Sequence, residues 1–211
     1  MKALLVSGGS IESIKLLKEI AKDMDFIICA DGGTDYCIKA NLIPNIIIGD
    51  LDSISKKGLN FIEENNISIV KFPVKKDNTD TELAIDYLIE KGFIDITLLG
   101  AIGSRMDHSL GNILLLKKLK DKNIKGKIID HHNIIYLVDN KLKVKSRANF
   151  YVSIIPITDN GIEVSLKGFE YPLFEAKLEF GSTLGISNSV SENYGFIEIH
   201  NGMALVIISK D

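Results

Sequence analysis

The residues best able to do chemistry are aspartates, and each sits just after a short apolar run. Asp31-Gly32-Gly33 follows Phe26–Ala30, and Gly49-Asp50-Leu51-Asp52-Ser53 follows Ile46-Ile47-Ile48. Lys75-Lys76-Asp77-Asn78-Thr79-Asp80 comes after Pro73, and Gly100 through Arg105-Met106-Asp107-His108 follows Ile96–Leu99. Carboxylates suit a hard divalent cation. Glycines let a backbone approach a ligand, and an arginine can hold phosphate with a planar fork.

Each segment also has a plainer reading. Asp31-Gly32-Gly33 fits a phosphate-binding helix start or a tight turn capped by its aspartate. In an extended Asp50-Leu51-Asp52, both carboxylates point the same way, roughly 6–7 Å apart between Cα atoms. Their repulsion, about 2–3 kcal/mol at an effective dielectric near 20, is removed by a bound cation such as Mg²⁺. The alternative there is a polar loop with Ser53 capping a helix. Asp77 and Asp80 are explained by the first turn of a helix, where negative charge is favoured by roughly 0.3–1 kcal/mol. The sharper alternative makes Asp80 a further metal ligand. Arg105 and Asp107 fit either a surface ion pair or a phosphate-holding cation beside a carboxylate that binds metal or takes a proton.

The elements that must position these residues divide the chain in two. Over residues 1–130, Ala3–Val6, Phe26–Ala30, Ile46–Ile48, Ser68–Phe72, Ile96–Leu99 and Lys127–Ile129 read as strands buried on both faces. Helical patterns lie between them: Ile14, Leu17 and Ala21 share one face, Leu83, Ala84, Tyr87 and Leu88 a second, Leu110, Ile113 and Leu114 a third. Thr79-x-x-Glu82 is a capping box, and Gly92 stops its helix. This alternation predicts an α/β, Rossmann-like parallel sheet with helices on both faces. Residues 131–211 read differently. Runs at Ile134–Val138, Phe150–Ile155, Glu163–Leu166, Ala176–Phe180, Phe196–His200 and Ala204–Ile208 are separated by turn residues, with Asn201-Gly202 as a hairpin turn. They predict an antiparallel, β-sandwich-like second domain.

Composition excludes several classes of function. The chain has 211 residues, 45 % of them apolar, and a net charge of −3. No basic field draws it to nucleic acid, and no run approaches the ~20 residues of a membrane span. The first apolar run is too short for a signal-peptide core. Cys29 and Cys37 match no zinc or CxxC spacing and read as reduced structural thiols of a cytoplasmic protein. Adjacent His131 and His132 would point to opposite strand faces, a poor metal pair.

Taken jointly, Asp31, Asp50, Asp52, Asp80 and Asp107 fall at or just after strand ends of one α/β half. That is where open parallel sheets bind ligands. With the glycine turns and Arg105, they point to a Mg²⁺-nucleotide site for transfer of a phosphorus group.

In this order the segments resemble the thiamine pyrophosphokinase family. The matches are Ala30-Asp31-Gly32-Gly33, Pro44 with Ile48-Gly49-Asp50-Leu51-Asp52-Ser53, Lys76-Asp77-Asn78-Thr79-Asp80 with Glu82-Leu83-Ala84, and Leu98-Leu99-Gly100 through Arg105-x-Asp107-His108. Later come Val152–Pro156, Leu166-Lys167-Gly168, Tyr171-Pro172-Leu173 and Gly181-Ser182 through Gly185-Ile186-Ser187-Asn188. The resemblance implies transfer of the diphosphate of ATP to the thiamine hydroxyl, with Mg²⁺, in a homodimer. By the same likeness, Asp50, Asp52 and Asp80 are metal ligands, and these three with Arg105 and Asp107 are the catalytic set. Asp31, Gly32, Gly33, Asp77, Thr79, Arg105 and His108 contact the nucleotide, and Ser187 and Asn188 contact thiamine. Asn45 and Ser189 depart from the family pattern, where Asp and Glu are usual. The alternatives are a nucleotide-dependent transferase with another alcohol acceptor, or a non-catalytic ligand-binding relative.

Overall fold

The computed structural model describes residues 1–51, 54–71 and 78–211. Asp52, Ser53 and Asp77, three of the residues singled out above, lie outside them, as do Lys75 and Lys76. The chain forms two compact units, Met1–His131 and His132–Asp211.

The first unit alternates strand and helix: β1 (Lys2–Val6), α1 (Ile14–Ala21), β2 (Phe26–Ala30), α2 (Gly33–Ala40), β3 (Ile46–Ile48), α3 (Lys56–Glu64), β4 (Ser68–Val70), α4 (Asp80–Glu90), β5 (Asp95–Leu99), α5 (Met106–Asp121) and β6 (Lys125–Ile129). Its strands lie in the order β4-β3-β2-β1-β5-β6, and each neighbouring pair is parallel. The chain winds from β1 out to β4. After α4 it returns to place β5 on the other side of β1, so the winding direction reverses between β1 and β5. Such a reversal opens a crevice at the carboxyl ends of the strands.

Apolar runs form these strands because both sheet faces are covered. Leu4, Leu5, Val6, Ile47 and Ile48 are fully buried. Leu4, Val6, Cys29 and Ile47 join Leu17 of α1 and Cys37 of α2 in one core cluster. α2 starts hard against β1: a Cβ on Gly33 would fall 2.0 Å from the Val6 carbonyl oxygen, so only glycine fits. Cys29 and Cys37 are free thiols with their sulfurs 3.3 Å apart. Burial first, then Cys37, pushes the Cys29 thiol up, which keeps it protonated.

One apolar face differs from expectation. Leu110 and Leu114 of α5 are exposed, as is Met106, whereas Ser109, Leu116 and Leu119 are buried. Helical periodicity groups side chains but does not choose which group faces the sheet. Here Leu116 and Leu119 pack over Gly126 of β6, where a Cβ would meet the Leu119 side chain at 2.7 Å. Lys118 on the same helix binds Glu82 of α4 at 3.0 Å, which ties α5 to α4.

The second unit contains β7 (Asn133–Val138), β8 (Lys141–Lys145), β9 (Tyr151–Pro156), β10 (Ile162–Lys167), β11 (Leu173–Leu178), β12 (Tyr194–Asn201) and β13 (Ala204–Ser209). β13 pairs antiparallel with β7 and β9, and a second antiparallel sheet runs β11-β10-β12-β8. Val152, Ile154, Val206 and Ile208 from the first layer and Val164, Leu166, Ile197 and Ile199 from the second share one core. This is the expected sandwich.

Three details correct the sequence reading. β8 was not anticipated. Its sequence Lys141-Leu142-Lys143-Val144-Lys145 alternates, with Val144 buried and the lysines exposed, as suits an edge strand that must not recruit another. Asn201-Gly202 makes no hairpin, because β12 and β13 lie in different layers. The turn instead docks on Thr158, whose Oγ1 accepts from the Met203 N–H at 2.8 Å. The apolar residues of β12 and β13 thus face one core from opposite sides. Phe180, expected at the end of a strand, lies beyond β11 and is exposed.

Candidate active site

A cavity of about 790 Å³ lies in the first unit, lined by the loops that leave β1, β2, β3 and β5 and by the start of α4. That volume is in the range of small-molecule sites. Asp31, Gly32, Asp50, Thr79, Asp80, Arg105 and His108 all line it. Segments far apart in sequence meet because parallel strands end on one edge.

The local geometry follows from short-range chemistry. Asp31 has a φ of 42°, a left-handed conformation that aspartate tolerates better than most residues. Its N–H donates to the Ile48 carbonyl at 2.9 Å, and its own carbonyl accepts from the N–H and hydroxyl of Thr34. The backbone of Asp31 therefore supports the start of α2. The N-cap is Gly32, with no side-chain cap. A Cβ on Gly49, where φ is 141°, would lie 3.2 Å from Asp31 Cβ and 3.4 Å from Asp80 Oδ2. The two aspartates flank that glycine, which leads directly into Asp50. Leu51 follows at φ 72°, a conformation a branched side chain rarely adopts. Thr79 caps α4 by accepting from the Glu82 N–H at 3.3 Å, the N-cap half of the expected capping box, while the Glu82 carboxylate binds Lys118; this cap puts Asp80 in the first helical turn.

The fourth loop is pinned to α5. The Gly103 N–H donates to the buried Ser109 Oγ at 3.0 Å, and Asn112 Nδ2 donates to the Ala101 carbonyl at 2.7 Å. Arg105 reaches the cavity wall from this loop. Its guanidinium donates to Asp107 at 2.6 and 3.2 Å. That contact, with the His108 backbone N–H, holds the Asp107 carboxyl down to about 2. Asp107 is exposed and is not among the residues lining the cavity. Gly33, the first residue of α2, is buried and is not among the residues lining the cavity.

Ser187 and Asn188 belong to the second unit. Ser187 is exposed at φ 61°, and its N–H donates to Ser153 Oγ. Asn188 is buried. Its Oδ1 accepts from the N–H groups of Tyr171 and Ser189, and its Nδ2 donates to the Tyr171 carbonyl. The departing Asn45 accepts from the Ile27 N–H at 2.7 Å through Oδ1, as a carboxylate could.

Ser7-Gly8-Gly9, Ser104 and the α2 residues Asp35, Tyr36 and Lys39 also line the cavity, without having been singled out from sequence. The Ser7-Gly8-Gly9 turn carried a signal, since it follows the first apolar run as Asp31-Gly32-Gly33 follows the second. Tyr36 and Lys39 carried none beyond helical spacing.

A doubly wound parallel sheet with carboxylates, glycine turns and an arginine at its reversal point defines a nucleotide-binding α/β protein. The comparisons with known proteins narrow that class. Residues 17–128 match the family description "Thiamin pyrophosphokinase, catalytic domain", and residues 139–204 match "Thiamin pyrophosphokinase, vitamin B1 binding domain". The chain is 34 % identical to a thiamine pyrophosphokinase of Bacillus subtilis, over 98 % of each chain. It is 27 % identical to thiamin pyrophosphokinase 1 of Caenorhabditis elegans, covering 85 % of this chain and 77 % of that one. The crystal structure of a Bacillus subtilis thiamine pyrophosphokinase matches with a TM-score of 0.90 at 32 % identity, over 100 % of both chains. That of a Geobacillus thermodenitrificans thiamin pyrophosphokinase matches at 0.86 and 30 %, over 100 % of this chain and 98 % of that one. The chain belongs to the thiamine pyrophosphokinase family.

Proposed function

We propose that the chain transfers the diphosphate of ATP to thiamine, giving thiamine diphosphate and AMP. In that reaction the hydroxyethyl oxygen of thiamine forms a bond to the β-phosphorus. The bond from that phosphorus to the oxygen bridging to the α-phosphate breaks, AMP leaves with that oxygen, and the alcohol proton is released. The observation that carries this reading is the meeting of Asp31, Asp50, Asp80 and Arg105 in one cavity at the carboxyl edge of a parallel sheet.

The protein's task is to position two poor reactants and to offset charge. Arg105 steadies phosphate, and the Gly32 turn at the positive end of α2 lets the backbone approach it. Thr79 and His108 bound the nucleotide, with Asp77 assigned by motif. The donor set at Asp50 and Asp80 consists of hard carboxylate oxygens, which suit Mg²⁺; these two would hold it together with Asp52. Bound there, Mg²⁺ would neutralise triphosphate charge. Asp107, held near a pKa of 2 by Arg105, is a weak base while that pair persists. Ser187 is read as a thiamine contact and Asn188 as part of the same motif. The exposed apolar residues Tyr171, Phe174, Phe180 and Leu184 of the second unit support assembly as a homodimer. Free buried cysteines fit a cytoplasmic enzyme.

An assay following AMP release with and without thiamine tests the activity. AMP formed only with thiamine is expected. AMP formed only with a different alcohol would move the acceptor, and no AMP with any acceptor would overturn the enzyme reading.

A further inference from the structure

The cavity has a flank that the motif residues leave unexplained. Beyond Gly32, α2 lines it with Asp35, Tyr36 and Lys39. The Asp35 carboxylate accepts from the hydroxyl of Ser55, the N-cap of α3, at 2.7 Å, so its part is to hold α3 against α2. Tyr36 is half-buried and packs against the core of the unit. It is the one Phe, Tyr or Trp among the described residues lining the cavity. The Lys39 ammonium lies 5.1 Å from the centre of that ring.

Spacing along α2 gives these side chains a place relative to the phosphate end of the cavity. At 1.5 Å per residue, Tyr36 lies about 4.5 Å and Lys39 about 9 Å down the helix from Gly33. The positive end of a helix suits phosphate, whereas an aromatic ring with a cation over it suits a flat, electron-rich heterocycle. A nucleoside attached to a phosphate at the head of α2 and running along this flank would bring its base to Tyr36.

We propose that Tyr36 and Lys39 form the base subsite of the nucleotide: the Tyr36 ring stacks on the base, and the Lys39 ammonium donates to its edge. The proposal rests on reading the cavity as a nucleotide site and adds the orientation of the nucleotide within it. The phosphates lie toward Arg105 and Asp80, and the base lies along α2.

Calorimetric titration in the presence of Mg²⁺, with an α,β-methylene analogue of ATP and separately with inorganic tripolyphosphate, separates the two ideas. Tripolyphosphate carries the charge without the base. Tyr36→Ala is expected to weaken the ATP analogue about tenfold, the loss of one stacked base, and to leave tripolyphosphate affinity unchanged. Tyr36→Phe keeps the ring and should bind the analogue as the wild type does, which also controls for folding. Lys39→Met keeps the stem and should cost about two- to fivefold for the analogue alone, as the loss of one solvent-accessible hydrogen bond would. Unchanged analogue affinity in Tyr36→Ala, or an equal loss for both ligands in either variant, overturns the subsite while leaving the nucleotide reading intact. If the wild type binds neither ligand, the nucleotide reading falls and the subsite falls with it.

Discussion

The two units treat their polar motif residues in opposite ways. In the α/β unit, the sheet brings Asp31, Asp50, Asp80 and Arg105 from separate loops to line one cavity. In the β unit, the Asn188 amide is satisfied by the backbone of Tyr171 and Ser189, and Ser187 stands exposed beside it. The difference follows from architecture. A parallel sheet sends every strand out through the same edge, so its loops converge and their side chains face shared space. An antiparallel sandwich returns the chain locally, and its buried polar groups must find partners nearby. A motif in the first setting points to chemistry. A motif in the second can serve chemistry by holding a loop in shape.

That contrast can be broken at either end. Asp80→Asn removes a charge from the convergent cavity without altering volume, and it should lower turnover about 100-fold while costing stability no more than the roughly 0.3–1 kcal/mol of a first-turn charge. Wild-type turnover in a folded Asp80→Asn protein would remove the α/β cavity from the chemistry. Asn188→Ala leaves the Tyr171 N–H and carbonyl without their partner, and it should cost about 1–3 kcal/mol of stability in denaturant unfolding. A stable Asn188→Ala variant that fails only to bind thiamine would show that the motif acts as a contact and not as a clamp.

A smaller effect is expected at Arg105, whose side chain is largely exposed. Arg105→Ala should weaken the ATP analogue about tenfold, the order of one charge-assisted contact, while thiamine affinity holds in parallel titrations. A selective loss of thiamine affinity would reverse that assignment. The smallest effect belongs to Asp107. Its carboxyl is lowered to about 2 first by the Arg105 hydrogen bond and then by the His108 N–H. A lowered folded-state pKa means that the pair's stabilising contribution is present above the ordinary carboxylate value. It fades as pH falls through about 2. A carbon-13 titration should show that low midpoint in the wild type and a return toward the ordinary range in Arg105→Gln; an unmoved midpoint would dissolve the pair.

Much of the α/β unit was legible because its strands are continuous apolar runs with no other place to go. Phe26–Ala30 and Ile46–Ile48 were bounded from sequence as they are in the fold. Thr79 announced α4, since a side-chain N-cap is a contact within one turn. The β unit was less legible where polar residues outnumber apolar ones. Lys141–Lys145 is a strand because Leu142 and Val144 have a core to face, and lysine spacing alone does not reveal that core. Asn201-Gly202 has the residues of a hairpin turn, yet Thr158 from a distant segment takes the bonds that follow it.

The amino-acid sequence by itself determined where strands end, which acids and glycines stand there, and through them the family. Those are properties of neighbours along the chain. Only the tertiary structure decided that Leu110 and Leu114 face outward, that β12 and β13 part into two layers, and that Tyr36 and Lys39 share a cavity with Asp80. Periodicity sets the directions of side chains relative to one another. What each direction meets depends on segments brought close by packing, and that information is spread over the whole chain.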